Sequence, residues 1–242
     1  MELEEYEKMY RFEENYWWWA GKRKIVKRIL ESLKPDCDRI LDIGCGTGAN
    51  LEYLGDYGTV VGLDFSREAL DFSKMREHEN LVQGDAERLP FRDDSFDLIT
   101  GLDIIEHIDD GRASRGFVEA LKNNGLLLLT VPAYSFLWSK HDEALHHRRR
   151  YSKNQLRRVL EENGFTIEKM SYWNSFLFIP VAVTRLVKRY VIRSREVKTD
   201  VGELPSIING LLTFIMTVES CLIRRIDLPF GVSIVCLARV TK

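Results

Sequence analysis

Several kinds of protein are excluded by what this chain lacks. Its four cysteines, Cys37, Cys45, Cys221 and Cys236, form no C-x-x-C pair, so neither a zinc site nor a disulfide framework is expected. Neither sign of charge dominates: 35 basic residues face 37 acidic ones, a formal net charge of -2, which offers no general attraction to nucleic acid. The opening residues Met1-Glu2-Leu3-Glu4-Glu5-Tyr6-Glu7-Lys8 are acidic and carry no apolar core, so no secretory leader is expected and a reducing cytoplasm is the default compartment. A clean membrane span is missing too. The apolar run Phe176–Val187 is short, and Ile207–Ile223 is interrupted by Asn209, Gly210 and Glu219. With a hydrophobic share of 45% and a charged share of 30%, the 242 residues suit one soluble α/β domain, with or without an insertion.

The chemistry begins at Ile40-Leu41-Asp42-Ile43-Gly44-Cys45-Gly46-Thr47-Gly48, an apolar strand running into a turn with glycines at alternate positions. Ala49–Leu54 then has helical apolar spacing. A strand, a glycine turn and a helix N-terminus together are expected to present free backbone N–H groups to a nucleotide-like ligand. A dinucleotide fingerprint needs G-x-G-x-x-G, whereas the third glycine here comes one residue early, which disfavours a nicotinamide-dependent dehydrogenase. Thr59–Ser66 is a second apolar strand ending in Asp64, where nucleotide-binding units place an acid for ribose hydroxyls. Leu81–Ala86 ends a third strand at Asp85, and Ser95–Leu102 forms a fourth, followed by Asp103-Ile104-Ile105-Glu106-His107-Ile108. One strand-end aspartate alone is ordinarily a turn or cap residue. Four such features in order, correctly spaced, are not.

The D-x-G-x-G-x-G run from Asp42 to Gly48 closely resembles the first motif of the class I S-adenosylmethionine-dependent methyltransferases, and the later strand ends follow that family's order. The resemblance implies S-adenosyl-L-methionine as cofactor and S-adenosyl-L-homocysteine as product. Gly44, Gly46 and Gly48 would carry its methionine end, with Asp42 ordering the turn and Cys45 within it as a small side chain without redox role. Asp64 would hold the ribose and Asp85, beside Ala86, the adenine amine, while Phe65 and Leu102 would line the ring. The implied fold is a Rossmann-like α/β domain with a seven-stranded, mostly parallel sheet of order 3-2-1-4-5-7-6 and helices on both faces. Alternation itself predicts helices over Lys22–Leu33, Ala49–Leu54, Arg67–Arg76, Gly111–Lys122 and Lys153–Asn163, between near-continuous apolar strands, hence a parallel sheet with ligands outside its carboxyl ends. One methyltransferase domain over 1–242 is expected, with a helical cap over 1–34 and an apolar, basic helical insertion over 174–229.

The acceptor side is less determined. The insertion carries its two apolar runs with Lys188, Arg189, Arg193, Arg195, Lys198, Arg224 and Arg225 between and after them. Three readings stay open: helices capping the pocket or forming a homodimer contact, an interfacial pair making peripheral membrane contact through 176–226, or a lid for a lipid-like acceptor. Trp17-Trp18-Trp19 is either an anchor for the N-terminal helix or part of a roof over the pocket, with Trp18 the acceptor-side candidate. Lys140-His141-Asp142-Glu143-Ala144-Leu145-His146-His147-Arg148-Arg149-Arg150-Tyr151 holds three of the five histidines. It resembles a His-Asp…His…Arg-Arg-Tyr stretch in a group of bacterial and archaeal methyltransferases, which makes His147, Arg149 and Tyr151 acceptor candidates. It reads either as a basic patch for an anionic acceptor or as a solvated loop whose arginines pair with nearby acids; no zinc signature is present and no metal is assigned. Asp103-x-x-Glu106-His107 resembles a cation-associated segment of ubiquinone-pathway O-methyltransferases, with Asp103 in place of a longer glutamate. An acceptor hydroxyl would need a base, for which His107 and then His141 are the candidates. The expectation is methyl transfer to oxygen or nitrogen of a small or lipid-like acceptor by in-line displacement. The alternative is a protein that keeps the fold but only binds the nucleoside or a membrane-associated partner.

Overall fold

A computed structural model describes residues 3–33, 35, 37–188, 199 and 201–242. Two helices, α1 (Leu3–Phe12) and α2 (Trp17–Leu33), precede strand β1 (Arg39–Ile43). Then come α3 (Ala49–Leu54), β2 (Thr59–Asp64), α4 (Arg67–Met75), β3 (Leu81–Gln83), β4 (Phe96–Leu102), α5 (Asp110–Ala120) and β5 (Leu121–Pro132). A short helix α6 (Lys140–Ala144), then α7 (Lys153–Glu162) and β6 (Phe165–Trp173), lead to α8 (Phe178–Val187), α9 (Ser206–Ile223) and the last strand β7 (Ser233–Val240). The sheet order is β3-β2-β1-β4-β5-β7-β6, as expected. β7 runs antiparallel to both β5 and β6, and the other pairings are parallel.

Successive strand residues point to opposite faces, and this period of two builds two cores from adjacent positions. Leu41, Ile99 and Leu127 pack with Phe117 of α5 and Leu160 of α7. Their neighbours Ile40, Leu98 and Leu128 pack on the other face with Ile25 and Ile29 of α2 and Met216 of α9. Helix starts follow local chemistry. Ser66 caps α4 by accepting from the Ala69 N–H, Asp109 caps α5 through Arg112, and Ser152 and Gln155 form a reciprocal capping box on α7. The helix expected over Gly111–Lys122 stops at Ala120, because β5 starts at Leu121 to pair with Phe96. Helix α2 starts at Trp17, ahead of the expected Lys22, because the Asn209 side chain of α9 accepts from the Trp17 N–H at 2.9 Å and donates to the Asn15 carbonyl at 2.8 Å.

Both apolar runs of the insertion are helices, and α9 is docked on α2. At their crossing a Cβ on Gly21 would lie 2.8 Å from Met216 Cβ, so only glycine permits this approach. Glu219, buried within α9, accepts from the N–H groups of Asn174, Ser175 and Phe176 and so fixes the chain entering α8. The basic residues Arg189, Arg193, Arg195 and Lys198 lie outside the described residues.

Candidate functional site

The carboxyl ends of the central strands open into a cavity of about 1250 Å³. Its floor at one end is the glycine turn, where Gly44 (φ 68°) and Gly46 (φ 56°) lie in the left-handed region that disfavours a side chain. The turn does not offer its amides as the sequence suggested. Gly44 and Cys45 N–H both donate to the Leu63 carbonyl, Gly46 N–H donates to Asp64 Oδ2, and Gly48 N–H donates to the Cys45 carbonyl. The turn thus contributes close approach of backbone, while β2 takes the Gly44, Cys45 and Gly46 donors and the Gly48 donor stays within the turn. Helix α1 crosses above it, with Met9 Sδ 3.2 Å from where a Cβ on Gly46 would sit. Thr47 donates to Glu13, and Arg76, just past α4, reaches Glu13 at 3.2 Å and the Thr47 carbonyl at 3.0 Å. The N-terminal segment is therefore clamped over the turn.

Around this end the structure gathers Gly44, Gly46, Asp64, Phe65, Asp85, Ala86 and Leu102 on the cavity wall. Asp64 accepts from Gly46 N–H and Ser66 N–H, each at 2.9 Å, one on each carboxylate oxygen. Each oxygen keeps a lone pair for a ligand hydroxyl. Burial raises its pKa, partly offset by those amides. Asp85 accepts from the Glu87 N–H at 2.8 Å. Phe65 is 77% exposed on the cavity rim, an apolar ring of the kind a planar ligand would cover.

Three expected residues are elsewhere. Asp42 lies buried in β1 and makes no hydrogen bond to the turn; its Oδ1 accepts from Thr100 on β4 at 2.6 Å and Oδ2 has no protein partner. Burial, only partly offset by Thr100, pushes its pKa to about 7. Cys45 is buried beneath the turn, with Sγ 3.0 Å from where a Cβ on Gly62 would sit, and burial pushes its thiol up. Gly48 (φ 90°) caps α3 and packs toward Ser73, not the cavity.

At the far end of the cavity the segments after β4 and β5 meet. Lys22 of α2, itself buried, donates to Asp103 Oδ2 at 2.9 Å, and Thr130 of β5 donates to Asp103 Oδ1 at 2.9 Å. Burial alone would raise Asp103, but the Lys22 charge outweighs it and holds the carboxylate ionised. Glu106 is fully buried, with neither carboxylate oxygen partnered, and burial together with the Asp103 charge pushes its pKa well up. His107 is pushed down to about 4 by burial and by His147. Its ring centre lies 4.7 Å from that of His147, whose Nδ1 bonds Asp142 Oδ1 at 2.9 Å and whose Nε2 is 4.0 Å from Glu106 Oε1. One ligating atom from each of Glu106, His107 and His147 falls within 4.8 Å of the others, so this trio, and not one including the engaged Asp103, could hold a metal ion. His141 also lines the cavity, 6.5 Å ring to ring from His147.

The residue that organises this end, Asp142, was only a loop acid in the sequence. It closes a capping box with Ser139 on α6, accepts from Arg150 Nε at 2.7 Å and lies 3.7 Å from Arg185 of α8. Burial would raise it, but the His147 hydrogen bond and the Arg150 and Arg185 charges outweigh that and hold it well below the usual carboxylate range. The loop is solvated only in part: Glu143, His146 and Arg148 are exposed, whereas Arg150 is buried on Asp142, and Arg149 pairs with Asp110 at 2.8 Å. Tyr151 is buried and donates to the same Asp110 at 2.8 Å. Arg149 and Tyr151 therefore do not join the cavity wall, whereas His147 does. Trp17, Trp18 and Trp19 serve both expected ends: all three line the cavity, and Trp17 and Trp18 also pack on the core, with the Trp18 ring 4.7 Å from Trp173.

Comparison with known proteins shows what the region around this site is similar to. Residues 41–129 match the family model described as a methyltransferase domain. An uncharacterised protein of Methanocaldococcus jannaschii is 36% identical over 118 residues, covering 48% of this chain and 46% of the relative. An uncharacterised methyltransferase of Bacillus subtilis is 30% identical over 168 residues, covering 62% and 64%. A demethylmenaquinone methyltransferase of Staphylococcus aureus is 29% identical over 162 residues, covering 52% and 67%. The chain thus spans about half to just under two thirds of the first two relatives' length. Among solved structures, an S-adenosylmethionine-dependent methyltransferase of Thermotoga maritima superposes with a TM-score of 0.58 at 19% identity, covering 98% of this chain and 99% of that one; at this identity the likeness is one of fold. The region that carries this site thus matches a methyltransferase domain, and relatives that share it are named as S-adenosylmethionine-dependent methyltransferases.

Proposed function

We propose that this protein transfers the methyl group of S-adenosylmethionine to an oxygen of a small, lipid-like acceptor. One observation carries the reading: a single cavity joins the Gly44, Asp64, Phe65 and Asp85 end to the Glu106, His107 and His147 end, and continues past Leu177 along α8 and α9, where Val181 and Leu212 give it apolar wall beside Thr184 and Arg185. When bound, the cofactor supplies a methyl group already activated on a positively charged sulfur. The protein's task is to align the acceptor and exclude water. Asp64 holds the ribose, Asp85 the adenine amine, and Phe65 covers the ring. The Trp17–Trp19 side chains and α1 roof the cavity against solvent.

Removal of the acceptor proton falls to His147. Asp142 takes its Nδ1–H, which leaves Nε2 as the proton acceptor on the cavity side. His107 is a weaker base, because burial has lowered its proton affinity. Glu106, kept protonated by burial beside Asp103, can donate a hydrogen bond to the acceptor. An apolar cavity wall together with a relative named for demethylmenaquinone supports a lipid-like acceptor. The test is transfer of labelled methyl to polyprenyl and quinone-like lipids, paired with calorimetric titration by S-adenosylmethionine, S-adenosylhomocysteine and NAD. Micromolar binding of the two sulfur nucleosides with lipid-dependent label transfer supports it. Binding of NAD in their place, or transfer only to water-soluble amines, refutes it.

A further inference from the structure

Helices α8 and α9 each have two working faces. Leu177, Val181 and Leu212 face the cavity, whereas Ile179, Val183 and Val187 on α8 and Ile207, Leu211, Phe214, Val218 and Leu222 on α9 face outward at helical spacing. These are not marginally exposed: Ile207 is 84%, Ile179 69% and Phe214 65% accessible. Unpaired apolar area on this scale marks an interaction surface.

The charge pattern selects the occupant. Helix α8 has no acid, and the only acid of α9, Glu219, is buried on its inner side. Arg224 and Arg225 just past α9 are exposed cations next to the end of its apolar face, and Lys188 at the end of α8 is exposed while also reaching the cavity. A second copy meeting this face through a two-fold axis would set those cations against themselves. An anionic lipid surface accepts both the apolar stripe and the cationic edge. Spanning is disfavoured. The 18 residues of α9 have a mean hydropathy of 1.7 and rise about 27 Å, but Asn209 caps α2 and Glu219 holds the start of α8, so the polar side is fixed to the domain.

We propose that α8 and α9 seat in the interfacial layer of an anionic membrane, and that the lipid-like acceptor passes between them from the bilayer into the cavity. The second half rests on the acceptor class proposed above; the first does not. The experiment is flotation of the full chain with vesicles of phosphatidylglycerol or phosphatidylcholine, beside calorimetry with S-adenosylmethionine and light scattering for oligomeric state. Wild type should float with phosphatidylglycerol vesicles at least tenfold better than with phosphatidylcholine, and less well at high salt. The Ile207→Glu/Leu211→Glu/Phe214→Glu variant should lose flotation tenfold or more while binding S-adenosylmethionine like wild type. Should that variant misfold, Arg224→Glu/Arg225→Glu, outside the apolar stripe, should still lower binding to the anionic vesicles. Wild type that floats with neither vesicle, or both variants floating like wild type, overturns the proposal. So does a dimer that the apolar variant dissociates without any vesicle binding. Flotation is read without turnover, so a failure of the methyl-transfer reading leaves it standing, and detergent-dispersed acceptor tests that reading separately.

Discussion

Replacing Asp142 by asparagine tests the far end of the cavity most directly. The carboxylate is fully buried and neutralises Arg150, whose guanidinium is itself only 2% exposed, while also bonding His147 and standing near Arg185. Asparagine keeps the volume and removes the charge. Breaking one side of a buried ion pair leaves the other uncompensated, a loss of roughly 3–5 kcal/mol. Against a typical stability of roughly 5–15 kcal/mol, that lowers the melting temperature by roughly 6–20 °C for a chain of this size. The pH dependence follows from the sign of the shift. Because the folded pKa lies well below the unfolded one, wild type holds this stabilisation in full above the ordinary carboxylate range and loses it only as pH falls toward the depressed folded value. The deficit of Asp142→Asn should therefore be constant from pH 6 to 8 and shrink in acid. Asparagine can also present its amide N–H to Nδ1 and turn the imidazole to the wrong tautomer, so turnover should fall by about two to four orders of magnitude while S-adenosylmethionine affinity stays the same. Urea denaturation and calorimetry read the two effects separately. A stability loss below about 1 kcal/mol, the scale of an exposed pair, would refute the buried network. A normal turnover would refute the role of His147.

The cofactor end yields its own expectations. Asp64→Ala should weaken S-adenosylmethionine binding by roughly 1–3 kcal/mol, the cost of leaving buried partners unpaired; unchanged affinity by calorimetry would remove the ribose assignment. Gly44→Ala forces a side chain into φ 68° with a Cβ 2.8 Å from Ile104 Cδ1, so thermal melts should show a loss of about 1–2 kcal/mol from the backbone alone. Adding Ile104→Ala should recover only the steric excess, and full recovery would show that backbone strain is not the cause. His107 is protonated in the unfolded chain below its ordinary pKa but in the folded protein only near pH 4, so its contribution to stability declines as pH falls through that window, by about 3 kcal/mol. His107→Gln should lack that decline when urea curves at pH 7.5 and 4.5 are compared, and an identical pH response in both proteins would place His107 in solvent.

The sheet was legible because its strands are continuous apolar runs whose alternate residues feed two cores, and because glycines and acids fall at strand ends where regular elements stop. Gly44, Asp64, Phe65 and Asp85, which the resemblance to the methyltransferases implied for the cofactor, do line the cavity wall. Which atoms were already engaged was not legible. The Leu63 carbonyl that takes two of the turn's amides belongs to the neighbouring strand, and no local pattern announces that pairing. Lys22 and Asp103 are 81 residues apart, and only the crossing of α2 over β4 brings them together. Asp142 did have a signal, the Ser139-x-x-Asp142 capping pattern, but a cap residue ordinarily faces solvent, and here the folding of Arg150 and Arg185 onto it buries it. Asn209 and Glu219 were read as interruptions of an apolar run. They are better described as the groups that fasten that run to the domain.

That fastening bears on the chemistry, because α9 meets α2 one residue from the site. Met216 packs against Gly21, and the next residue, Lys22, holds Asp103. Asp103 stays ionised because Lys22 is there, and the Asp103 charge is one of the two causes that push Glu106 toward its protonated form. The two carboxylates are thereby driven apart, one toward its anion and the other toward its neutral, hydrogen-bond-donating form. Were Lys22 displaced by a fraction of its 2.9 Å contact, Asp103 would lose its compensating charge, and the separation between the two acids would narrow. The close packing at Gly21 is what holds that distance. A helix whose outer face is greasy and whose inner face must not move is therefore tied to the domain by Asn209, Met216, Thr217 and Glu219, side chains that reach inward along its length.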